Sequence, residues 1–495
     1  MSTEKTSLLP EVSAFLGKSS HGAFIAGEEV QASNGETFET RDPGTGETLA
    51  TVASLQPEDI DRAVAAAGKA FAEADWADLP ANERGIHLQR LADAVETRKE
   101  IIAQIESLDC GKLLAQARDD VQNFIDTMRY FCGLAQNLNA GTVIPVKEHE
   151  ACVVRRPWGP CGFIIPWNFP FLLCGWGIAP AMAAGNTCVV KPAEDTPLST
   201  LYVAHLAREV GIPDGVINVV PGLGETAGAA LSRNPDICRM SFTGSPEVGR
   251  LVAESCGRNL VPVKLELGGK GAAVVFDDVD IPEAAEKLVN AITFHTGQVC
   301  CDATRWLIQE PIYDDFVNEC VGRMKDIRVG YQMEEDSQMG PVVSEVQRRR
   351  VLGYLEKGVA EGAEVVLEGG IAETGRNGHY VKPALLAGKL DNVAAREEIF
   401  GPVAYLAPFR DEADGLTKAN DTPYGLANSV WSSDLSRCQR VAAQFDAGNG
   451  WINSHNVVVH GVPYGGIKQS GMGGGVGSIE TLLDYYRAIS VIRPL

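Results

Sequence analysis

The stretch "HTGQVCCDATR", His295 to Arg305, sets two cysteines side by side behind a Gly-Gln pair. A thiol on a glycine-containing turn just beyond a helix can be presented to a cleft as a nucleophile, or it can be inert core. Cys300 is the candidate. In "KLELGGKG", Glu266 lies between Leu265 and Leu267 and just ahead of a double glycine. Buried at a strand end, its carboxyl would rise toward the pKa of a useful general base; facing water, it would be an ordinary strand residue. "IPWNFP" brackets Asn168 with prolines and aromatics, a rigid setting that could aim its amide at a developing oxyanion or let it bond its own turn. A base and a nucleophile on separate elements are what covalent catalysis requires.

A second group of segments suits phosphate and ribose. "FTGSPEVG" is a strand, then Gly244-Ser245, then a helix start, where free amides and the helix dipole could receive a pyrophosphate. "GLGETAG" gives a similar turn at Gly222 to Gly228, and neither fits the G-x-G-x-x-G pattern. In "KPAED", Lys191 and Glu194 could form a surface ion pair or, at a strand's carboxyl edge, hydrogen-bond two ribose hydroxyls. Glu397 and Glu398 in "REEIFGP" read alone as a solvated charge pair. No C-x2-C or H-x3-H spacing is present, so no metal site is expected.

These residues need elements to hold them. The chain has 495 residues, enough for two or three domains. From Gly159 onward, short apolar runs ("CGFIIPW", "TCVVKP", "VINVVPG", "ICRMSFTGS") alternate with helical segments, and a second series follows ("GAAVVFDD", "TRWLIQE", "AEVVLEGG", "AYLAPF"). That alternation predicts two α/β domains with parallel sheets and a boundary near "LELGGKG". Before it, "GAFIAGEEV" predicts short strands and "DIDRAVAAAGKAFAEADW" an amphipathic helix with Asp59 near its cap. A second helical region runs from about Asn82 to Leu134, and "GTVIPVKEHEACVVRRP" reads as a β-hairpin. "AISVIRPL" ends the chain as a strand whose partner must lie elsewhere.

Composition narrows the function. The net charge of −22 would repel a phosphate backbone, so nucleic acid is not an expected partner. No apolar run is long enough to cross a membrane, and "MSTEKTSLLP" lacks a signal-peptide layout. Twelve scattered cysteines, among them Cys161, Cys174 and Cys188, read as reduced thiols rather than a disulfide scaffold. A cytoplasmic protein is expected.

Together, "IPWNFP", "KPAE", "FTGS", "LELGGK", "GQVC", "EEIFGP" and "PYGGIKQSG", in this order, resemble the NAD(P)-dependent aldehyde dehydrogenase superfamily. The resemblance runs from about Phe24 to the last strand. It implies a Rossmann-like NAD domain (1–138 and 155–266), a thiol-bearing catalytic domain (267–478) and an oligomerisation arm (139–154 and 479–495). It makes Cys300 the nucleophile, Asn168 the oxyanion donor together with the Cys300 amide, and Glu266 the base that activates a hydrolytic water. Cofactor contacts would fall to Ile165, Pro166, Trp167, Lys191, Glu194, Gly224, Phe242, Gly244, Ser245, Leu267, Glu398 and Phe400. A carboxylate at Glu194 would repel a 2′-phosphate, which favours NAD over NADP. Leu173, Trp176, Phe294, Cys301 and Val458 would line the aldehyde tunnel. Being apolar, they favour a neutral aliphatic or aromatic aldehyde, with a betaine- or amino-aldehyde as the alternative because Trp167 and Trp176 could face a cation. The arm implies a homodimer or homotetramer.

The sequence departs from the family in three places. "SGMGGGVG" carries no acid until Glu480, where relatives often have one that serves a proton relay; "HTGQ" replaces the commoner Asn-Gln; and Asp302 follows the cysteine pair, where it is expected to point away from the thiol. Transfer of the acyl group to coenzyme A, or a non-catalytic structural role, is disfavoured because both Glu266 and Cys300 are kept.

Overall fold

The structure, a computed structural model, describes residues 7–73, 76–138 and 141–495. Two large sheets organise it. At the centre of the first, five parallel strands run in the order Ile217–Val219, Thr187–Lys191, Pro160–Ile164, Arg239–Gly244 and Val263–Leu267. Most of their Val, Ile and Cys side chains are buried, on both faces, as continuous apolar runs in parallel sheets require. Cys161 and Phe163 belong to the core shared with helices Pro170–Ala184 and Leu198–Glu209; Met240 and Phe242 belong to that shared with Pro57–Glu73 and Pro246–Arg258. Each fully buried Leu, Ile or Phe contributes on the order of 2 kcal/mol. Ala23–Ile25, hairpinned to Glu28–Val30, closes one edge antiparallel to Ile217–Val219.

The second sheet has six parallel strands in the order Ala384–Ala387, Val403–Phe409, Ala303–Gln309, Gly271–Val275, Ala427–Trp431 and Asn449–Ile452, with Glu364–Leu367 antiparallel at one edge. Gly268 to Lys270 join the last parallel strand of the first sheet to the middle of the second.

Three features refine the expected layout. The helical region is three helices, Ala81–Thr97, Lys99–Cys110 and Leu114–Asn137. Gly111 at φ 77° breaks the last two apart, and a side chain there would press on Pro43 and Pro341. The Pro57–Glu73 helix starts ahead of Asp59, whose buried carboxylate accepts from Gln56 and Ser33 amides instead of capping it from outside. The terminal strand Tyr486–Pro494 pairs with His149–Pro157 of the hairpin, which also pairs with Gly141–Val146.

The tail does not divide as the expected boundaries have it. Gly471–Met472, inside the 267–478 segment, adds antiparallel to Leu265 and Glu266 of the first sheet. Helix Ile479–Asp484, assigned to the arm, instead buries Leu482 in the first sheet's core. Among the described residues no helix is long and apolar enough to cross a membrane, and no group of His, Cys, Asp or Glu could hold a metal ion.

Candidate active site

Helix Ile281–Thr293, capped by Asp280, delivers the chain to a tight turn. His295 and Thr296 take positive φ angles of 45° and 58°, a conformation that is unusual above all for the β-branched Thr296. The buried Thr296 hydroxyl bonds Gly340 O at 3.0 Å, and the Gln298 side chain ties His295 O (3.1 Å) to the Val343 amide (2.9 Å). So locked, the turn presents Cys300 to a cavity of about 490 Å³. Its sulfur lies 3.4 Å from the Tyr464 hydroxyl. The neighbouring Cys301 thiol, then the Tyr464 hydroxyl, lower the Cys300 pKa against burial and the charge of Glu398. Burial pushes the Cys161, Cys174 and Cys188 thiols the other way. All twelve cysteines are unpaired.

Glu266 reaches the same cavity from the last parallel strand of the first sheet. Both carboxyl oxygens are buried without a hydrogen-bond partner among the described residues. Burial raises its pKa well above the ordinary value, Lys264 opposes the rise, and the Cys300 thiol adds to it. Asn168 precedes helix Pro170–Ala184, whose Pro170 sits at the first helical position. Its amide donates to Gln298 O at 3.0 Å, so it bonds the thiol loop and not its own turn.

Cys301 donates to Asn456 Oδ1 at 3.3 Å. Asp302 meets the same Asn456 amide and lies off the cavity wall, while burial raises its carboxyl well above the ordinary range. Leu173, Trp176, Phe294 and Val458 join Cys301 around the thiol.

The expected cofactor residues fall into two groups. Ile165, Pro166, Trp167, Gly244, Ser245, Leu267, Glu398 and Phe400 line the cavity. Ser245 caps helix Pro246–Arg258, accepting from the Val248 amide at 3.3 Å. Glu398 accepts from the Gly269 amide at 2.8 Å, and burial raises its pKa to about 7. A side chain at Gly268 would fall 2.2 Å from Glu398 and force that carboxyl to move. Phe400 meets Trp167 edge-on, ring centres 5.2 Å apart.

Lys191, Glu194 and Gly224 form a separate cluster off this wall. Lys191 ends its strand and meets Glu194 at 2.7 Å, and Glu194 accepts from the Gly224 amide at 3.3 Å. Phe242 is buried off this wall, with its ring filling the space above Gly244 where a side chain would be 2.6 Å away.

A sequence profile of the aldehyde dehydrogenase family matches residues 30–491. The chain belongs to that family. It is 41% identical to an aldehyde dehydrogenase of Emericella nidulans over 95% of this chain and 94% of that one. It is 40% identical to a phenylacetaldehyde dehydrogenase of Pseudomonas fluorescens over 92% of each. The solved NAD+ complex of an aldehyde dehydrogenase from Bacillus cereus superposes with a TM-score of 0.97 at 39% identity, covering 99% of this chain and 100% of that one.

Sequence reasoning missed several residues of this aldehyde dehydrogenase site. Tyr464 lies inside "PYGGIKQSG" and Gln298 inside "GQVC", so both were quoted without a role. Gln347 and Arg350 sit on helix Glu345–Ala360 and bond the backbone of Phe400 (2.6 Å) and Glu398 (2.5 Å). Nothing in that helix's sequence marks those contacts.

Proposed function

We propose that the chain oxidises an aldehyde to a carboxylic acid through a covalent adduct on Cys300. One observation carries the reading: the lowered thiol, the Asn168 amide and the raised Glu266 carboxyl converge on one apolar cavity from three elements. The Cys300 thiolate adds to the carbonyl carbon, and the oxyanion of the hemithioacetal is received by the Asn168 amide and the Cys300 N–H. Bound nicotinamide dinucleotide supplies the hydride acceptor. Loss of hydride leaves a thioester, and Glu266 takes the proton of the water that attacks it, releasing acid and thiol.

Two features of the cavity and one cluster outside it suit the dinucleotide. The Ser245 helix start offers amides to a pyrophosphate, Glu398 sits in a cradle that a Cβ at Gly268 would fill, and the Lys191–Glu194 pair stands at the strand edge for a ribose. Glu194 is held ionised chiefly by Lys191, its pKa lowered despite burial. That fixed negative charge favours NAD over NADP. We assign 1–138 and 155–266, together with Gly471–Met472 and Ile479–Asp484, to cofactor binding, the rest of 267–478 to the thiol, and 139–154 with the terminal strand to assembly into a homodimer or homotetramer. Twelve unpaired cysteines agree with a cytoplasmic setting.

The walls near the thiol are Leu173, Trp176, Phe294 and Val458, which suits a neutral aliphatic or aromatic aldehyde. The exposed carboxylate of Asp119 on the same cavity favours a second reading, a cationic amino- or betaine-type aldehyde facing Trp176. A panel of aldehydes with NAD, read as NADH absorbance, separates the two. Cys300→Ala should abolish turnover and still bind NAD. Glu266→Gln should give a burst of NADH followed by hydrolysis slowed on the order of a hundredfold. Full turnover by Cys300→Ala would remove the nucleophile assignment.

A further inference from the structure

Strand Val263–Leu267 places Lys264 and Glu266 two residues apart, on one face of the sheet. Both are buried; the Lys264 side chain is only 1% exposed. A lysine sunk beside a catalytic carboxyl is not called for by packing, since an ammonium in a protein interior needs a partner. Lys264 has two. Its Nζ donates to Gly475 O at 2.6 Å and pairs with Asp484 Oδ2 at 2.9 Å. Asp484 ends helix Ile479–Asp484, is 35% exposed, and is pinned by a Trp158 Nε1 hydrogen bond to its carbonyl (3.0 Å).

Glu266 stands on the other side of the same glycine layer. A Cβ on Gly465 would lie 2.9 Å from Glu266 Oε1 and 2.8 Å from the Gly475 backbone. Backbone of the 465–475 segment therefore fills the gap between carboxyl and ammonium, and a side chain at Gly475 would collide with Tyr464. The segment that carries no acid is thus the one whose carbonyl holds this lysine.

We propose that the Lys264 ammonium, held by Asp484, is the positioning counter-charge of the Glu266 carboxylate and keeps it available as the base. The inference rests on the reading of Glu266 as base. Other charged or titratable groups facing the pair are Arg239 on the neighbouring strand, 3.4 Å from Asp484, and the Cys300 thiol across the cavity. The Gly466 amide also favours the ionised carboxyl. Arg239 and burial act against the charge on Lys264, whereas Asp484 and Glu266 favour it.

p-Nitrophenyl acetate isolates the step. The Cys300 thiolate displaces p-nitrophenolate to give an acetyl-thioester, and water then adds to the acyl carbon and expels the thiolate as acetate forms. The burst counts acylated thiol, and the steady rate reports hydrolysis. In the unaltered enzyme that rate climbs with pH as Glu266 ionises. Lys264→Met should move the climb up by about one pH unit or more, roughly tenfold slower at pH 7 with an unchanged burst. Lys264→Arg should restore the original profile. Asp484→Asn should shift the climb the same way by less, because burial and Arg239 then act on the Lys264 charge with its main partner gone; this half-exposed position decides the matter if Lys264→Met does not fold. A climb at the same pH in both Lys264→Met and Asp484→Asn overturns the proposal. A normal climb in Glu266→Gln overturns the base assignment instead, and a lost burst in any of these points to the thiol.

Discussion

At the scale of the residue, the nucleophile is prepared by small local contacts. A hydrogen-bond donor near a sulfur stabilises its charged form, and Tyr464 is within 3.4 Å of Cys300. Tyr464→Phe removes that donor, so the thiol pKa must rise. Alkylation of Cys300 by iodoacetamide, followed across pH, should show its midpoint moved up by about half to one pH unit. Identical profiles would leave the hydroxyl without influence on the thiol. Cys300, Glu266 and Asn168 were legible in the sequence because each lies in a compact motif with its own turn chemistry. The burial of Phe242 was not legible, because a strand alternates its faces and a motif does not say which face its aromatic takes. Lys264 carried no signal at all; a lysine beside "LELGG" looks like any solvent-facing strand residue.

At the scale of the element, the parallel strands were legible in the βα alternation, since buried strands between helices have a distinct apolar pattern. Helix Lys99–Cys110 was harder. Its Glu106 and Asp109 would ordinarily mark a solvated face, yet both are fully buried. Glu106 accepts from the Phe171 amide (3.2 Å) and the Ser199 hydroxyl (2.6 Å); Asp109 accepts from the Thr40 hydroxyl (2.6 Å) and the Leu198 amide (2.9 Å). They tie the helix to the starts of Pro170–Ala184 and Leu198–Glu209, and so help place Asn168. Burial raises Glu106 to about 7 and Asp109 to about 8. A carboxyl with a raised folded pKa binds its proton more tightly in the native state. Its contribution is therefore present below its unfolded pKa and lost as pH climbs to 7 and 8. The thermal midpoint should fall over that range, and Glu106→Gln should flatten the fall, by on the order of 2 kcal/mol at pH 8. A variant with an unchanged slope would place the effect elsewhere.

At the scale of the whole molecule, the three-stranded sheet of Gly141–Val146, His149–Pro157 and Tyr486–Pro494 exposes Val143, Ile144, Val146, Val491 and Ile492. So much apolar surface on one small sheet suits burial against another copy. Paired changes Val143→Glu and Ile492→Glu should lower the mass measured by light scattering, and an unaltered mass would move the interface away from this sheet. The arm's pairing was legible only as two unconnected runs, because antiparallel partners more than three hundred positions apart share no local pattern. The Gly471–Met472 strand was hidden for the same reason, being two residues long. Its consequence reaches past the site. Expressed on its own, the piece of chain ending at Gly268 would carry a bare Val263–Leu267 ladder, an invitation to clumping through strand addition. Neither half is therefore a finished folding unit, and soluble material should appear only when both are refolded in one vessel.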